Sequence, residues 1–284
     1  MRTLVIGGTG FTGPHVVRRL HELGHELLLY HRGETEADLL DGIRHVHGDR
    51  WDLDCAAREL TPFAPQIVLD MIPRNEQDAW TVVSVFRGIA RRVVALSSQD
   101  VYRAYGRLIG TEPGLVEPVP LAEDAPLRTV LYPYWKRSRR PHDPPNHYEK
   151  ILAELIYMSD LDLPGTVLRF PMVYGPGDRQ HRLYDYLKRM EDDRPAILLE
   201  KGQAEWRWTK GYVENLAAAV VRSVTDDRAA GRIYNVGEFE TLTWANWVRA
   251  IGRAAGWDGE VVVVPRDGLP KHLVPDEDTD QHLV

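Results

Sequence analysis

The sequence of 284 residues contains one cysteine, Cys55, which excludes an internal disulfide and a cysteine metal cluster. Long apolar runs are also missing, because stretches such as Leu27–Tyr30 fall far short of the roughly 20 residues of a membrane-spanning helix. A basic excess is absent too: the formal net charge is −7, which disfavours a nucleic-acid partner. Residues Met1–Ile6 predict a strand instead of a secretory leader. We therefore expect a cytoplasmic protein with no membrane association that acts on a small molecule.

Hydrophobic residues make up 43% of the chain, which is enough for a substantial core. In the first half, short β-branched runs alternate with helical patterns. Strands are predicted at Thr3–Ile6, Glu26–Tyr30, Ile43–His47, Ile67–Met71 and Val93–Ser97, and helices at Pro14–Leu23, Asp54–Leu60 and Glu76–Ala90. This alternation predicts an α/β fold with a doubly wound parallel sheet, a Rossmann domain.

The pattern weakens between Tyr102 and Asn146, a proline-rich stretch with the basic run Lys136–Arg140. We predict that this stretch forms a mobile flap over the site. Helices are expected again at Tyr148–Met158, Leu183–Asp192, Val213–Thr225 and Trp244–Ala255, and strands at Thr166–Phe170 and Ile233–Val236. We assign residues 1–170 to the dinucleotide-binding domain, to which a strand near 232–237 returns. Residues 171–284 are assigned to a smaller, interleaved C-terminal substrate lobe.

A glycine-rich turn follows the first predicted strand and leads directly into the first helix. Its glycines Gly7, Gly10 and Gly13 recur at every third position, with Phe11 and Thr12 between the last two. Glycine permits the tight turn, the approach of the backbone to a pyrophosphate and close helix–strand packing. The helix N-terminus adds N–H donors and a partial positive charge for the anion. The turn therefore predicts a dinucleotide-binding site.

The end of the second strand indicates which dinucleotide is bound. It offers His31 and Arg32 and lacks the carboxylate that accepts from the ribose 2′-hydroxyl of NAD. This favours NADP(H), with NAD(H) as the alternative if Arg32 is solvated and Glu34 or Glu36 reaches the ribose. Asp49, after the third strand, is placed either near the adenine amino group or at the cap of the next helix.

Six motifs, in this order along the chain, resemble the extended short-chain dehydrogenase/reductase superfamily, in its NAD(P)-dependent epimerase/dehydratase group. They are Gly7–Gly13, Gly48–Asp49, Ser97–Tyr102, Lys150–Glu154, Leu168–Gly177 and Tyr234–Gly237. The resemblance implies an enzyme that transfers hydride between a nicotinamide and a hydroxyl or carbonyl carbon of a small molecule, such as a nucleotide sugar. We also place Met71 and Pro171 among the cofactor contacts.

The resemblance further implies a catalytic Ser98, together with Lys150, which binds the nicotinamide ribose and assists a catalytic tyrosine. The family's tyrosine stands four residues before the lysine, where this chain has Asn146. Asn146 and Glu149 have the spacing of a capping box, which predicts a helix that starts there with Tyr148 in its first turn. Tyr148 is our candidate for the acid/base. Tyr132 or Tyr134 from the predicted flap, and altered or lost chemistry, are the alternatives.

The substrate contacts are less well defined. Relatives that act on nucleotide sugars resemble one another in a phosphate-binding arginine shortly before a helix that starts with a Val-Asp-Asp-type sequence. This implies Arg207, which stands one residue away from the position that this pattern gives. Tyr132 and Tyr134 are further candidates for substrate contacts. His45 and His47 alternate on a strand near Asp49, but we expect no metal there. A homodimer is implied by the resemblance. The competing hypothesis is a catalytically altered, cofactor-binding regulator or RNA-binding relative, similar to chloroplast stem-loop-binding proteins, which would use Arg137, Arg139 and Arg140.

Overall fold

The computed structural model describes residues 1–35, 42–135 and 144–284. The chain forms two compact units. Unit 1 comprises residues 1–99, 131–170 and 212–236, and unit 2 comprises residues 100–130, 171–211 and 237–284. Within the described ranges, no helix combines the length and the apolar character needed to cross a membrane.

Unit 1 is built on a parallel sheet that has seven strands in the described part of the chain. In spatial order they are β10 (Arg232–Asn235), β6 (Gly165–Phe170), β5 (Arg92–Ser98), β4 (Ile67–Asp70), β1 (Arg2–Ile6), β2 (Glu26–His31) and β3 (Arg44–His47). The chain runs outward from β1 through β2 to β3 and then crosses to β4 on the other side of β1. In open parallel sheets, ligands bind at the carboxyl ends of the strands where the winding reverses. We therefore expect a ligand at the carboxyl ends of β1 and β4.

The sheet is wound as the alternation of strands and helices predicts, and the doubly wound α/β class is confirmed. The helices of unit 1 are α1 (Gly13–Glu22), α2 (Ala57–Leu60), α3 (Glu76–Phe86), α5 (Lys150–Ser159) and α8 (Val213–Thr225). In α1, Val16, Val17 and Leu20 are fully buried, at the spacing that puts apolar side chains on one helix face.

Unit 2 contains the two helices predicted at Leu183–Asp192 and Trp244–Ala255, together with short elements that the sequence patterns did not predict. Its strands are β7 (Met172–Tyr174), β8 (Ala196–Glu200), β9 (Lys210–Tyr212) and β11 (Glu260–Val264), and its helices are α4 (Arg103–Leu108), α6 (Tyr184–Glu191), α7 (Lys201–Glu205) and α9 (Trp244–Ala255). Strand β11 pairs in parallel with β8, and β7 pairs with β9. An apolar cluster that includes Ile197, Leu199, Val248 and Ile251 forms the core of this unit.

Residues 103–130 of the predicted flap contain more structure than the sequence pattern indicated. This part of the chain begins with α4 and is held by ion pairs from Arg103 and Arg107 to Glu117, whose carboxylate is buried. The Glu112 carboxylate accepts from the N–H groups of Thr129 and Val130. These ion pairs and hydrogen bonds hold the segment in place, although its proline-rich sequence shows no helical or strand periodicity. The basic run Lys136–Arg140 lies outside the described residues.

The predicted start of the helix that carries Lys150 is wrong. Helix α5 begins at Lys150 with Glu149 as its N-cap, and Asn146 belongs to a preceding 3₁₀ turn, residues 144–147. The Glu149 carboxylate accepts from the N–H of Ile151 at 2.9 Å and from the N–H of Tyr132 at 2.6 Å. Because these bonds satisfy the helix start, Tyr148 lies before the helix and not in its first turn.

Candidate cofactor site and active site

The glycine turn joins the carboxyl end of β1 to the start of α1. Gly7 and Gly8 have φ of 94° and 90°, a region that favours glycine. A Cβ at Gly13 would lie 2.3 Å from the carbonyl carbon and oxygen of Gly8, so helix and strand approach closely only because residue 13 has no side chain. A Cβ at Gly10 would meet nothing within 4 Å. No side chain caps the start of α1, so its amide groups suit an anion.

The end of β2 lies beside this turn. The N–H of Gly7 donates to the carbonyl of Tyr30 at 2.8 Å, and the hydroxyls of Thr9 and Thr35 are 2.9 Å apart. Arg32 is exposed and forms an ion pair with Glu34 at 2.9 Å, an arrangement that water and salt screen. The guanidinium therefore stands at the surface at the point where the sequence predicts contact with a 2′-phosphate.

Asp49, for which the sequence left two roles open, caps the 3₁₀ turn Arg50–Asp52 by accepting from the N–H of Trp51 at 2.9 Å. Its backbone carbonyl accepts from the hydroxyl of Tyr30 at 2.7 Å. The structure shows the capping role, and contact with the adenine amino group stays a prediction.

The end of β4 completes the walls around the glycine turn. Met71 follows the strand, is half-buried, and donates its N–H to the carbonyl of Ile6 at 3.0 Å. A Cβ added to Gly7 would lie 3.4 Å from the side chain of Ile72 and 3.6 Å from that of Met71. Met71 is therefore adjacent to the first glycine of the turn.

A buried polar cluster that the sequence patterns did not reveal surrounds Asp70, the last residue of β4. The Asp70 carboxylate accepts from Arg50 at 2.6 Å and from the hydroxyl of Tyr157 at 2.5 Å. Burial alone lowers the pKa of Arg50, but the charge of Asp70 opposes it and the net shift is upward. Burial and the neighbouring Asp70 raise the pKa of Tyr157 well above its usual value. The guanidinium therefore stays charged and the phenol neutral, which fixes α5 against β4.

Helix α5 turns three polar side chains, at spacings of four and three residues, toward the sheet. The Lys150 ammonium donates to the carbonyls of Leu96, at 2.9 Å, and Pro73. Glu154 accepts from the hydroxyl of Ser97 at 2.5 Å and from Arg169 at 2.7 Å, and Tyr157 completes the row through Asp70. Polar residues at positions i, i+4 and i+7 of an apolar helix were the sequence signal for this arrangement. Together these bonds fix the position of Lys150 relative to the end of β5.

Three candidate catalytic residues lie near this point of unit 1. Ser98 is the half-buried last residue of β5, two residues after the carbonyl that accepts from Lys150. The Lys150 ammonium lies 5.5 Å from the centre of the Tyr148 ring, within the range of a cation–π contact. Tyr148 thus reaches the neighbourhood of Lys150 from the segment before the helix. Asn146, at the family's tyrosine position, is buried.

The two alternative tyrosines have different surroundings. Tyr132 donates its hydroxyl to Glu76 at 2.6 Å, and burial, reinforced by this carboxylate, raises the pKa of Tyr132 to about 12. A phenol with so high a pKa is a poor proton donor at neutral pH. The ring of Tyr134 lies 5.4 Å from that of Tyr148, which supports the position of the latter.

The remaining predicted contacts belong to unit 2. Pro171 is buried directly after β6. Arg207 is exposed, and its backbone N–H donates to His282 at 3.2 Å. Its neighbour Lys210 was not singled out from the sequence, yet it is buried, 4.6 Å and 4.9 Å from the ring centres of Trp244 and Trp247. Burial lowers the pKa of Lys210 to about 8.

Comparison with known proteins agrees with this geometry. The family model described as the NAD-dependent epimerase/dehydratase family matches residues 3–237. The chain belongs to this family. It is an enzyme of the NAD-dependent epimerase/dehydratase type, as the motifs implied.

Three of the proteins it resembles share a quarter or less of their residues with it. A 2′-dehydrokanamycin reductase of Streptomyces kanamyceticus is 25% identical, over 96% of this chain and 72% of the relative. The chloroplast stem-loop binding protein of 41 kDa b of Arabidopsis thaliana is 22% identical, over 92% of this chain and 65% of the relative. The solved UDP-glucose 4-epimerase of Thermotoga maritima, in complex with UDP-glucose, superposes with a TM-score of 0.69 at 18% identity and covers 96% of this chain and 88% of its own. At this identity the superposition supports the fold alone.

The glycine turn of this epimerase/dehydratase suits a dinucleotide. The close approach at Gly13, the open space at Gly10 and the uncapped start of α1 together leave room and N–H donors for a pyrophosphate. The residues present therefore fit the cofactor that the family name implies.

Proposed function

We propose that this epimerase/dehydratase relative is an NADP(H)-dependent oxidoreductase that reduces a carbonyl carbon of a sugar-like molecule, with Tyr148 as the proton donor. The observation that carries the proposal is the placement of the Lys150 ammonium, anchored on the end of β5 and 5.5 Å from the Tyr148 ring centre. Ser98 ends the same strand. The reductase from S. kanamyceticus, named for a dehydro compound, supports reduction as the direction.

The residues divide the reaction between them. When bound, the dinucleotide supplies a hydride to the substrate carbon. The hydroxyl of Ser98 donates a hydrogen bond to the carbonyl oxygen, and Tyr148 transfers its phenolic proton to that oxygen as the carbon–oxygen double bond becomes a single bond. The positive charge of Lys150 stabilises the phenolate that remains. The family's tyrosine would perform this step from a helical position, whereas Tyr148 would perform it from the segment before α5.

The test of this assignment is the substitution Tyr148→Phe, which removes the hydroxyl and keeps the ring over Lys150. NADPH oxidation is first screened against a panel of sugar-type ketones and aldehydes, and kcat is then compared for the best substrate. We expect kcat to fall by roughly 10²- to 10⁴-fold, the usual loss of a general acid, while the affinity for NADPH changes little. The matched control is Tyr134→Phe. Equal losses in the two variants, or unchanged turnover in Tyr148→Phe, would refute the assignment.

The preference for NADP(H) rests on Arg32. Its guanidinium is exposed at the end of β2 and is paired only with the exposed Glu34 among its described ion pairs, so a 2′-phosphate can take over the pair at little cost. We expect Arg32→Ala to weaken NADPH binding about 10-fold and to leave NADH binding nearly unchanged, as measured by fluorescence titration. Glu34→Gln should not weaken the binding of NADPH. Tighter binding of NADH than of NADPH by the parent protein would overturn the preference.

A second candidate is a cofactor-binding protein that recognises RNA, favoured by the similarity to the stem-loop binding protein of A. thaliana and by Asn146 at the tyrosine position. The basic residues that would carry this activity, Arg137, Arg139 and Arg140, lie outside the described residues. Their combined replacement by Gln, followed by RNA binding at several salt concentrations, separates the two functions. Salt-sensitive RNA binding that the replacement abolishes, together with no turnover on the carbonyl panel, would favour this candidate.

A further inference from the structure

Three histidines from two neighbouring strands meet on one face of the sheet in unit 1. His31 ends β2, and His45 and His47 lie two residues apart in β3, where the parallel register pairs His31 with His47. Residues two apart on a strand point to the same face. One ligand nitrogen from each ring lies within 4.8 Å of the others. Strand register thus brings His31 together with His45 and His47, which follow it by 14 and 16 residues in the chain.

The ring arrangement is close to that of three imidazoles around one metal ion. At a zinc–nitrogen distance of about 2.0 Å, tetrahedral ligand nitrogens lie about 3.3 Å apart, which puts the ring centres about 5 Å apart. The ring centre of His31 is 5.1 Å from that of His45 and 4.9 Å from that of His47, and the remaining separation is 6.5 Å. Nε2 of His31 and Nδ1 of His45 are 2.8 Å apart. An opening of about half an ångström would admit the ion between them.

Contrary to the expectation from the sequence, which considered His45 and His47 without His31, we propose that His31, His45 and His47 bind a divalent first-row transition-metal ion. Zn²⁺ is the reference ion, and a water or small anion is the fourth ligand. Imidazole nitrogens suit Zn²⁺, Ni²⁺ and Cu²⁺, whereas Mg²⁺ and Ca²⁺ prefer oxygen ligands. His45 and His47 are exposed and give the ion access from solvent, while His31 is buried and held in place. Among residues 1–35, 42–135 and 144–284, no carboxylate joins this group, so the ligands described there are all nitrogen atoms.

Gly33 provides a way to accommodate the ion. Its N–H donates to Nδ1 of His31 at 3.1 Å, so the ring proton of His31 is on Nε2, facing His45. When Nε2 binds a metal, that proton moves to Nδ1, which then needs an acceptor. Inversion of the peptide between Arg32 and Gly33 would present the carbonyl of Arg32 to Nδ1. Glycine tolerates both signs of φ, and residue 33 now has φ of 77°.

The test is metal titration of the untagged protein. Co²⁺ binding is followed by the visible absorption of a tetrahedral complex, and Zn²⁺ affinity and stoichiometry are measured by competition and calorimetry. We expect one ion per chain, weaker binding at lower pH because protons compete for imidazole, and no saturable binding of Mg²⁺. His45→Ala and His47→Ala should each lower Zn²⁺ affinity by more than the roughly 10- to 100-fold typical of losing an outer-shell partner.

His272→Ala, in unit 2, is the matched control and should retain parental affinity. Because His45 and His47 are exposed, we expect their variants to keep the parental circular dichroism spectrum and melting temperature. Zn²⁺ affinity that is unchanged in both variants, equal losses in the control, or no Zn²⁺ binding at millimolar concentration would overturn the proposal.

Discussion

Two glycines of the same turn should fail in different ways when each is replaced by alanine. A Cβ at residue 13 would stand 2.3 Å from the backbone of Gly8, about 1 Å closer than van der Waals contact allows, so α1 must move away from the turn. Overpacking of this kind costs about 1–3 kcal/mol. For a chain of this size, a loss of 2 kcal/mol lowers Tm by roughly 4–8 °C.

The Cβ of Gly10→Ala meets nothing within 4 Å, and residue 10 is not in the left-handed region. We expect a change in unfolding free energy within about 0.5 kcal/mol. The new methyl group would instead occupy the space left for the pyrophosphate, and we expect NADPH affinity to fall at least 10-fold, which is about 1.4 kcal/mol.

Thermal unfolding without cofactor and calorimetric titration with NADPH separate the two effects. Gly10→Ala should keep its Tm and lose affinity, whereas Gly13→Ala should lose Tm even without cofactor. If Gly10→Ala binds NADPH as tightly as the parent, the turn does not contact the pyrophosphate at that residue. If Gly13→Ala keeps the parental Tm, the close packing of helix on strand is not required.

Two further outcomes concern buried charges. Glu154→Ala leaves the guanidinium of Arg169 buried without its carboxylate and should lower the free energy of unfolding, measured in urea, by about 3–5 kcal/mol. The double variant Glu154→Leu with Arg169→Met should lose much less. A loss below about 1 kcal/mol in Glu154→Ala would contradict this. The pKa of Lys210 is about 8 in the folded protein, below its unfolded value of about 10.4. Between these pH values the unfolded chain binds more protons than the folded chain. The contribution of Lys210 to the free energy of unfolding therefore rises with pH through that window. Lys210→Met should therefore stabilise the protein at pH 7 by up to about 3 kcal/mol, less whatever the two tryptophan faces contribute, and this advantage should shrink between pH 8 and 10.4; an advantage independent of pH would contradict the account.

The sheet of unit 1 was predictable because its signals are local. Glycine at the end of β1, apolar runs bounded by turn residues and a regular alternation of elements fix the winding without knowledge of distant contacts. In unit 2, by contrast, the partner of β11 is β8, more than 60 residues earlier, and β7 and β9 have three residues each. Such short strands carry too little periodicity to predict.

The same distinction separates the predicted and missed parts of the site. Ser98 and Lys150 follow from motifs, but the start of α5 depends on Glu149, whose carboxylate bonds to the backbone of Tyr132. Local capping preference favours Asn146 over Glu149, but the long-range bonds of Glu149 to the backbone of Tyr132 and Arg74 accompany the later start. The grouping of His31 with His47 likewise requires the register of two strands, which the residue spacing alone does not give.

The most direct test of the central claim is a crystal structure of the protein with NADP⁺. The account predicts the pyrophosphate on the glycine turn at Gly10 and Gly13, the Lys150 ammonium at the nicotinamide ribose, and the Tyr148 hydroxyl facing the nicotinamide C4 beside Ser98. A structure in which Tyr134 or Asn146 occupies that place, with Tyr148 turned away from the nicotinamide, would contradict it.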